Sequence, residues 1–81
     1  MAASINTILT NKFLDLVISH LYLKNDAALA RELDVRPPVI SKMRHGKLPF
    51  GAILVIRTHE LTNWPVKDIL AQLPKLRGAK D

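Results

Sequence analysis

Proline and glycine divide this chain into short segments, and that division limits its fold more than any other feature of the sequence. The five prolines and three glycines fall between apolar periodic stretches rather than inside them. A residue that precedes proline is pushed out of the helical region, and glycine commonly ends a helix. The 81 residues are also few enough that only one core can be built. We therefore predict an all-α fold, a compact bundle of about five short helices.

The first two helices are predicted from apolar periodicity. In the first stretch, apolar residues recur at near-helical spacing, at Ile8, Leu9, Phe13, Leu16, Val17 and Leu21. This spacing predicts a mostly buried helix, for which Asn6 or Thr10 is the expected N-cap. A second, shorter helix is predicted over residues 27–33, with Asn25 as its N-cap.

The third helix is predicted from a pair of prolines. Because a residue before proline avoids helical backbone, we expect Arg36 and Pro37 to be extended. Pro38 suits the first helical position, where a missing N–H costs nothing. The helix is then expected to run to about His45 and to end at Gly46.

Two further helices are expected in the second half of the chain. A fourth helix is predicted over residues 50–61, because the segment is long for a strand. The β-branched residues within 53–56 favour a strand, which is the lesser alternative. Asn63 is the expected left-handed residue at its end, and a last helix is predicted from Pro65 to Leu73.

Positive charge is concentrated in the middle of the chain. The net charge is +5, with 12 Lys and Arg against 7 Asp and Glu. No acidic residue occurs between Asp34 and Glu60, and the basic residues in that interval are Arg36, Lys42, Arg44, Lys47 and Arg57. Such a cluster favours a polyanionic partner. We expect one domain over residues 1–73 and a basic, flexible tail over 74–81.

Several classes of protein are disfavoured by what the sequence lacks. Without cysteine there is neither a disulfide framework nor a thiolate zinc site, and three histidines at scattered positions do not predict a metal site. No acidic residue or cleft is predicted beside Ser41 and His45, so we expect neither catalysis nor a small-molecule cofactor. The longest apolar run, 52–56, is too short to cross a membrane, and a cytoplasmic, nucleoid-associated location is expected.

The predicted second and third helices carry a positional pattern. A small residue, Ala30, lies in the second helix, and Gly46 ends the third. The apolar positions of the pattern are Leu29, Leu33, Val35, Ile40 and Met43. Over Asp26–Gly46 the chain resembles the lambda-repressor-like helix-turn-helix family, of the phage repressor and Cro type. The resemblance implies a helix-turn-helix whose recognition helix, about 38–45, lies in the DNA major groove.

The chain departs from the family pattern at three places. Asp34 stands where the family usually has a turn glycine, and we expect it to adopt a left-handed conformation at modest cost. Pro37 and Pro38 occupy positions that often carry polar base-reading residues. Asp26 replaces a glutamine that often binds phosphate, and its charge would repel phosphate.

The resemblance also implies which residues face DNA. It places base-facing or groove-facing roles on Arg36, Pro37, Ser41, Lys42 and His45, and phosphate contacts on Arg44 and Lys47. Arg and Lys can bond guanine, Ser can reach either class of base, and proline can at most touch a thymine methyl.

The expected function is sequence-specific binding of double-stranded DNA by a small prokaryotic or phage-type transcriptional regulator. The alternative is a helix-turn-helix retained as a protein–protein interaction module, with the fourth and fifth helices binding the partner. RNA binding is disfavoured because none of the four aromatic residues falls on 38–45. A homodimer formed through the fourth or fifth helix is a further hypothesis.

Overall fold

The computed structural model describes residues 4–74. Within this range the chain forms five helices and no strand. The helices are α1 (Ile5–His20), α2 (Asp26–Glu32), α3 (Pro37–Arg44), α4 (Ala52–Thr62) and α5 (Val66–Gln72). The predicted all-α class is confirmed, and residues 53–56 are helical rather than extended. Apart from Pro74, the predicted tail lies outside the described residues.

The start of α1 differs from the prediction. Ser4 is the N-cap, and its Oγ accepts a hydrogen bond of 3.1 Å from the backbone N–H of Thr7. Neither Asn6 nor Thr10 caps the helix, and Thr10 instead lies buried within it. The predicted caps lie close to Ile8, where the apolar stripe begins. A helix can begin before its apolar stripe, because the N-cap is the residue whose side chain accepts a hydrogen bond from an N–H of the first turn.

Only one side of α1 is buried, so the prediction of a mostly buried helix was too strong. Phe13, Leu14 and Val17 face the core, whereas Ile8 and Leu16 are each 41% exposed. The apolar stripe in the sequence is wider than the area that the other helices cover.

Helices α1 to α4 each end in a left-handed residue. These residues are Tyr22 (φ 56°), Asp34 (φ 58°), Gly46 (φ 75°) and Asn63 (φ 63°). After α2, the N–H of Val35 donates to the carbonyl of Ala30 at 2.9 Å, which closes a Schellman motif around Asp34. The left-handed conformations predicted for Asp34 and Asn63 are therefore confirmed. The one at Tyr22 was not anticipated.

Helix α3 begins one residue earlier than predicted. Arg36 is extended and serves as the N-cap, but Pro37 is already helical, so both prolines lie in the first turn. The preference against helical backbone before proline is a bias, and the first turn tolerates proline because its N–H groups have no partner within the helix. The last helical residue is Arg44, with His45 as C-cap.

Gly46 ends α3, as predicted, and does so at a crowded point. Its φ of +75° favours glycine, and a Cβ atom at this position would lie 2.5 Å from Oγ1 of Thr7 in α1. The N–H of Lys47 donates to the carbonyl of Lys42 at 2.8 Å, which completes another Schellman motif. The chain can therefore turn here while it passes close against α1.

The core joins all five helices. It consists of Phe13, Leu14, Val17, Leu29, Ala30, Leu33, Ile40, Met43, Phe50, Leu54, Val55, Ile69 and Leu73. Helix α3 packs on α1 and α2, and α4 packs on α5. Trp64 packs against this core, with its ring centroid 6.1 Å from that of Phe13 and 4.7 Å from that of His20. It therefore ties the link between α4 and α5 to α1. None of the described helices is both long enough and apolar enough to cross a bilayer.

Candidate nucleic-acid interface

Helix α3 has one buried face and one exposed face. Ile40 and Met43 are almost fully buried against the neighbouring helices, as their positions in the sequence pattern predicted. The residues of the opposite face are exposed, namely Pro37, Pro38, Ser41, Lys42 and His45. This separation follows from the helical repeat, which returns residues three and four apart to the same side. The exposed face is called the α3 face below.

Three basic side chains lie on or beside the α3 face. Arg36 precedes the helix, Lys42 lies in its last turn, and Lys47 follows Gly46 beyond its end, and all three are exposed. The basic charges thus run from one end of α3 to the other. The acidic residue nearest to them in sequence is Asp34, which is also exposed.

His45 caps its own helix while staying exposed. Its Nδ1 lies 2.8 Å from the backbone oxygen of Ser41. A carbonyl oxygen can only accept, so Nδ1 must carry the proton in this contact. The other ring nitrogen, Nε2, is left for a partner. The capping role is therefore present in the structure, and base contact by His45 stays a prediction.

Arg44 is the centre of a network that joins three helices. Its Nε donates to Asp26 Oδ2 at 3.1 Å, and its Nη2 lies 2.8 Å from both Asp26 Oδ1 and Asp15 Oδ1. Its Nη1 donates to the backbone and side-chain oxygens of Asn11, at 3.3 and 2.9 Å. The hydrogen bond to Asp26 raises the pKa of Arg44 against the opposing effect of burial.

Arg44 thus makes four hydrogen bonds within the fold and a second ion pair with Asp15. Its guanidinium is directed at these partners, and the side chain is only 19% exposed. The geometry therefore counts against the phosphate contact that the sequence resemblance implied for Arg44. The same ion pair compensates the charge of Asp26, which would otherwise repel phosphate.

Asn11 completes the network and was missed in the sequence. Its Nδ2 donates to the backbone oxygens of Thr7 and Arg44, at 3.0 and 2.9 Å. It thus caps the C-terminal end of α3 from α1 while it accepts from Arg44. A polar amide within the apolar stretch of α1 was the one available signal, and it gave no indication of its partner.

Arg57 also has a structural role. Its Nη1 donates to the backbone oxygens of Leu33 and Asp34, at 2.9 and 3.2 Å, and so binds the carbonyl end of α2 from α4. A basic side chain at this end of a helix also interacts favourably with the helix dipole. Of the five basic residues in the acid-free interval, Arg44 and Arg57 are thus engaged within the fold.

The part of the chain that the structure describes contains no group of three or more His, Asp or Glu residues placed to hold a metal ion. In comparisons with known proteins, no family model, no curated protein and no solved structure matched this chain.

Proposed function

We propose that the chain binds double-stranded DNA by placing α3 in the major groove, and that it acts as a small transcriptional regulator of the prokaryotic or phage type, without a cofactor and without catalysis. The observation that carries the proposal is the two-sided character of α3. Its buried face packs on α1 and α2, while its other face presents two prolines and the polar or basic side chains of Ser41, Lys42 and His45 to solvent. A helix held in this way is what insertion into a major groove requires.

The exposed side chains divide into two roles. Arg36 and Lys42 have the donors to bond guanine N7 and O6, and Ser41 can bond either class of base. Lys47 lies beyond the end of the helix and contacts phosphate, which positions α3 without reading sequence. The connection from α2 to α3 through Leu33–Arg36, with its left-handed Asp34, supports the helix-turn-helix interpretation.

Salt dependence tests the proposal. Random duplexes would first be selected for binding, and the affinity for the selected duplex would then be measured by fluorescence anisotropy over a range of salt concentrations. Because Lys47 contacts phosphate whereas Arg36 and Lys42 contact bases, about one counterion is released, and the slope of log affinity against log salt is about −1.

A matched control variant distinguishes the contribution of the α3 face to DNA affinity from that of the net charge. Lys67 is an exposed lysine on α5, a helix that packs on α4. Replacing Lys67 with Ala should leave affinity for the duplex nearly unchanged, whereas replacing Lys42 or Lys47 should weaken it. A slope near zero, or an equal loss in all three variants, would count against this interface.

The alternative of a protein-interaction module is favoured by one observation. On α4, Ile53 and Ile56 are 64% and 53% exposed, which is high for large aliphatic side chains. A module that uses α4 for a partner protein, and does not use the α3 face, would show no affinity for bulk duplex DNA at low salt. The anisotropy measurement therefore distinguishes the two functions.

A further inference from the structure

We infer that the α3 face selects a C5-methyl group on a pyrimidine of the target duplex, and that Pro37 and Pro38 are the residues that contact it. This inference rests on the proposed function, because it names what part of the DNA target the helix recognises. The supporting observation is that two adjacent prolines, both exposed, form the first turn of a helix whose exposed face is otherwise polar.

Pro38 does not lie at the margin of the α3 face, whereas Pro37 lies at its edge, about 40° beyond Ser41 around the helix axis. With about 100° of rotation per residue, Pro38 lies about 20° from His45, about 40° from Lys42 and about 60° from Ser41 around the helix axis. Pro38 is therefore between Ser41 and Lys42, near the middle of the face. In helix-turn-helix proteins the N-terminal residues of the recognition helix are those that contact base edges. Pro37 and Pro38 are the first two residues of α3.

This end of the helix has little capacity for hydrogen bonding. The proline rings carry neither a donor nor an acceptor, and proline also lacks the backbone N–H that other residues would present in the first turn. If the prolines covered the major-groove edge of a G·C pair, the acceptors of guanine and the amino group of cytosine would lose water without gaining a partner, and this loss is unfavourable. The methyl of thymine is the apolar group that the major groove of unmodified DNA offers.

The expected effect is small and measurable. Burial of one methyl group contributes about 0.8 kcal/mol, and 1.4 kcal/mol corresponds to about tenfold in affinity. Removal of the contacted methyl should therefore weaken binding about fourfold. Thymines elsewhere in the duplex should give no change.

The experiment removes methyl groups without altering base pairing. In the selected duplex, each thymine is replaced in turn by deoxyuridine, and affinity is measured by anisotropy. We expect about fourfold weaker binding at one or two positions. At such a position, a duplex with a C·G pair in place of T·A should bind weakly. Replacing that cytosine with 5-methylcytosine should strengthen binding about fourfold. The comparison shows whether thymine itself or any C5-methyl pyrimidine is selected.

Two variants test whether the prolines cause the preference for the methyl group. Pro38→Ser should bind thymine and deoxyuridine duplexes equally, while Pro49→Ser, a matched change in the exposed segment between α3 and α4, should keep the fourfold preference. Circular dichroism checks that both variants are folded, and Pro37→Ser provides a second test at the neighbouring position. Equal binding of all deoxyuridine duplexes by the parent, or a selected site without thymine, overturns this inference while leaving DNA binding intact. Failure to bind any duplex overturns both this inference and the proposed function.

Discussion

Thr58 is fully buried in α4, and its hydroxyl has no hydrogen-bond partner within the described residues. A buried hydroxyl without a partner has lost its water and gained nothing in return. We therefore predict that Thr58→Val, which replaces the hydroxyl with a methyl of similar size, raises the free energy of unfolding by about 1 kcal/mol. Urea denaturation measures this change.

Thr62 provides the control for that experiment. Its Oγ1 donates to the Thr58 carbonyl at 2.8 Å and accepts from the N–H of Trp64 at 3.1 Å. Thr62→Val should lower the free energy of unfolding by about 1 kcal/mol, because two hydrogen bonds are lost. A loss of stability in both variants would mean that the Thr58 hydroxyl contributes favourably after all.

Replacing Lys42 and replacing Lys47 should affect DNA binding in different ways. Lys42→Ala should cost about 1–3 kcal/mol on the preferred duplex and weaken the preference at one base pair, because a base contact is lost. Lys47→Ala should weaken binding to all duplexes alike and reduce the salt slope by about one unit, because a phosphate contact is lost.

Neither lysine belongs to the core, so both variants should keep the parent's circular dichroism spectrum and melting temperature. Affinity measured on the preferred duplex and on a scrambled duplex separates the two effects. A folded Lys42→Ala protein that binds the preferred duplex as tightly as the parent would show that the exposed face of α3 is not the reading surface.

Local signals in the sequence were enough to predict several helix ends. Asn25 as an N-cap, Asp34 and Asn63 as left-handed residues, and Gly46 as a helix end each follow from the chemistry of one residue and its immediate neighbours, and the structure confirms all four. The exposure of Ser41, Lys42 and His45 followed from helical spacing in the same way.

The partners of Arg44 and Arg57 could not be predicted in this manner. Arg44 bonds residues 18 and 33 positions away, and Arg57 bonds residues 23 and 24 positions away. Only the tertiary packing brings these groups together. In the sequence, a basic residue that binds a helix end therefore looks the same as one that binds phosphate.

At the scale of elements, the Arg44 network holds α1, α2 and α3 together. Arg44→Ala would leave the carboxylate of Asp26 and the two oxygens of Asn11 without the guanidinium that bonds them, so we predict a loss of about 2 kcal/mol in the free energy of unfolding. The melting temperature should fall by about 10 °C for a domain of this size. Arg44→Lys should recover only part of the loss, because an ammonium group cannot reproduce the fork geometry of the guanidinium.

The pH dependence of this effect follows from the raised pKa of Arg44. A basic group whose pKa is raised by folding contributes its stability at every pH below its ordinary pKa and loses it only as pH rises through the folded value. The difference between parent and Arg44→Ala should therefore stay constant across neutral and mildly alkaline solution. Under conditions in which Arg44→Ala is folded, its slope of log DNA affinity against log salt should equal that of the parent. A shallower slope would indicate that Arg44 contacts phosphate.

At the scale of the whole molecule, one α3 face exposes five side chains and can read only a few base pairs. Helix-turn-helix proteins extend their site by pairing two copies on half-sites about 34–36 Å apart. We predict that a second copy of this chain pairs through the exposed Ile53 and Ile56 of α4, so that two chains bind one symmetric duplex. Analytical ultracentrifugation with and without the duplex measures the stoichiometry.

A matched pair of substitutions locates the contact. Ile53→Asp should convert the complex to one chain per half-site, whereas Ile5→Asp, at a residue of α1 that is 66% exposed, should leave pairing unchanged. Strict binding of one parent chain to a symmetric duplex would exclude this dimer.

Gly46 and Gly51 have different surroundings, and we expect position 51 to tolerate substitution far better than position 46. Gly51 has an ordinary backbone angle, with φ of −75°, and no atom lies within 4 Å of where a Cβ would be. Gly46 is restricted twice, by its left-handed backbone and by Thr7, so a smaller residue at position 7 would remove the crowding and leave the backbone penalty in place. In a library of random variants selected for folding, position 51 should accept many amino acids. Position 46 should retain glycine beside Thr7 and should also accept Asn or Asp where position 7 is small, as positions 63 and 34 do in the same conformation.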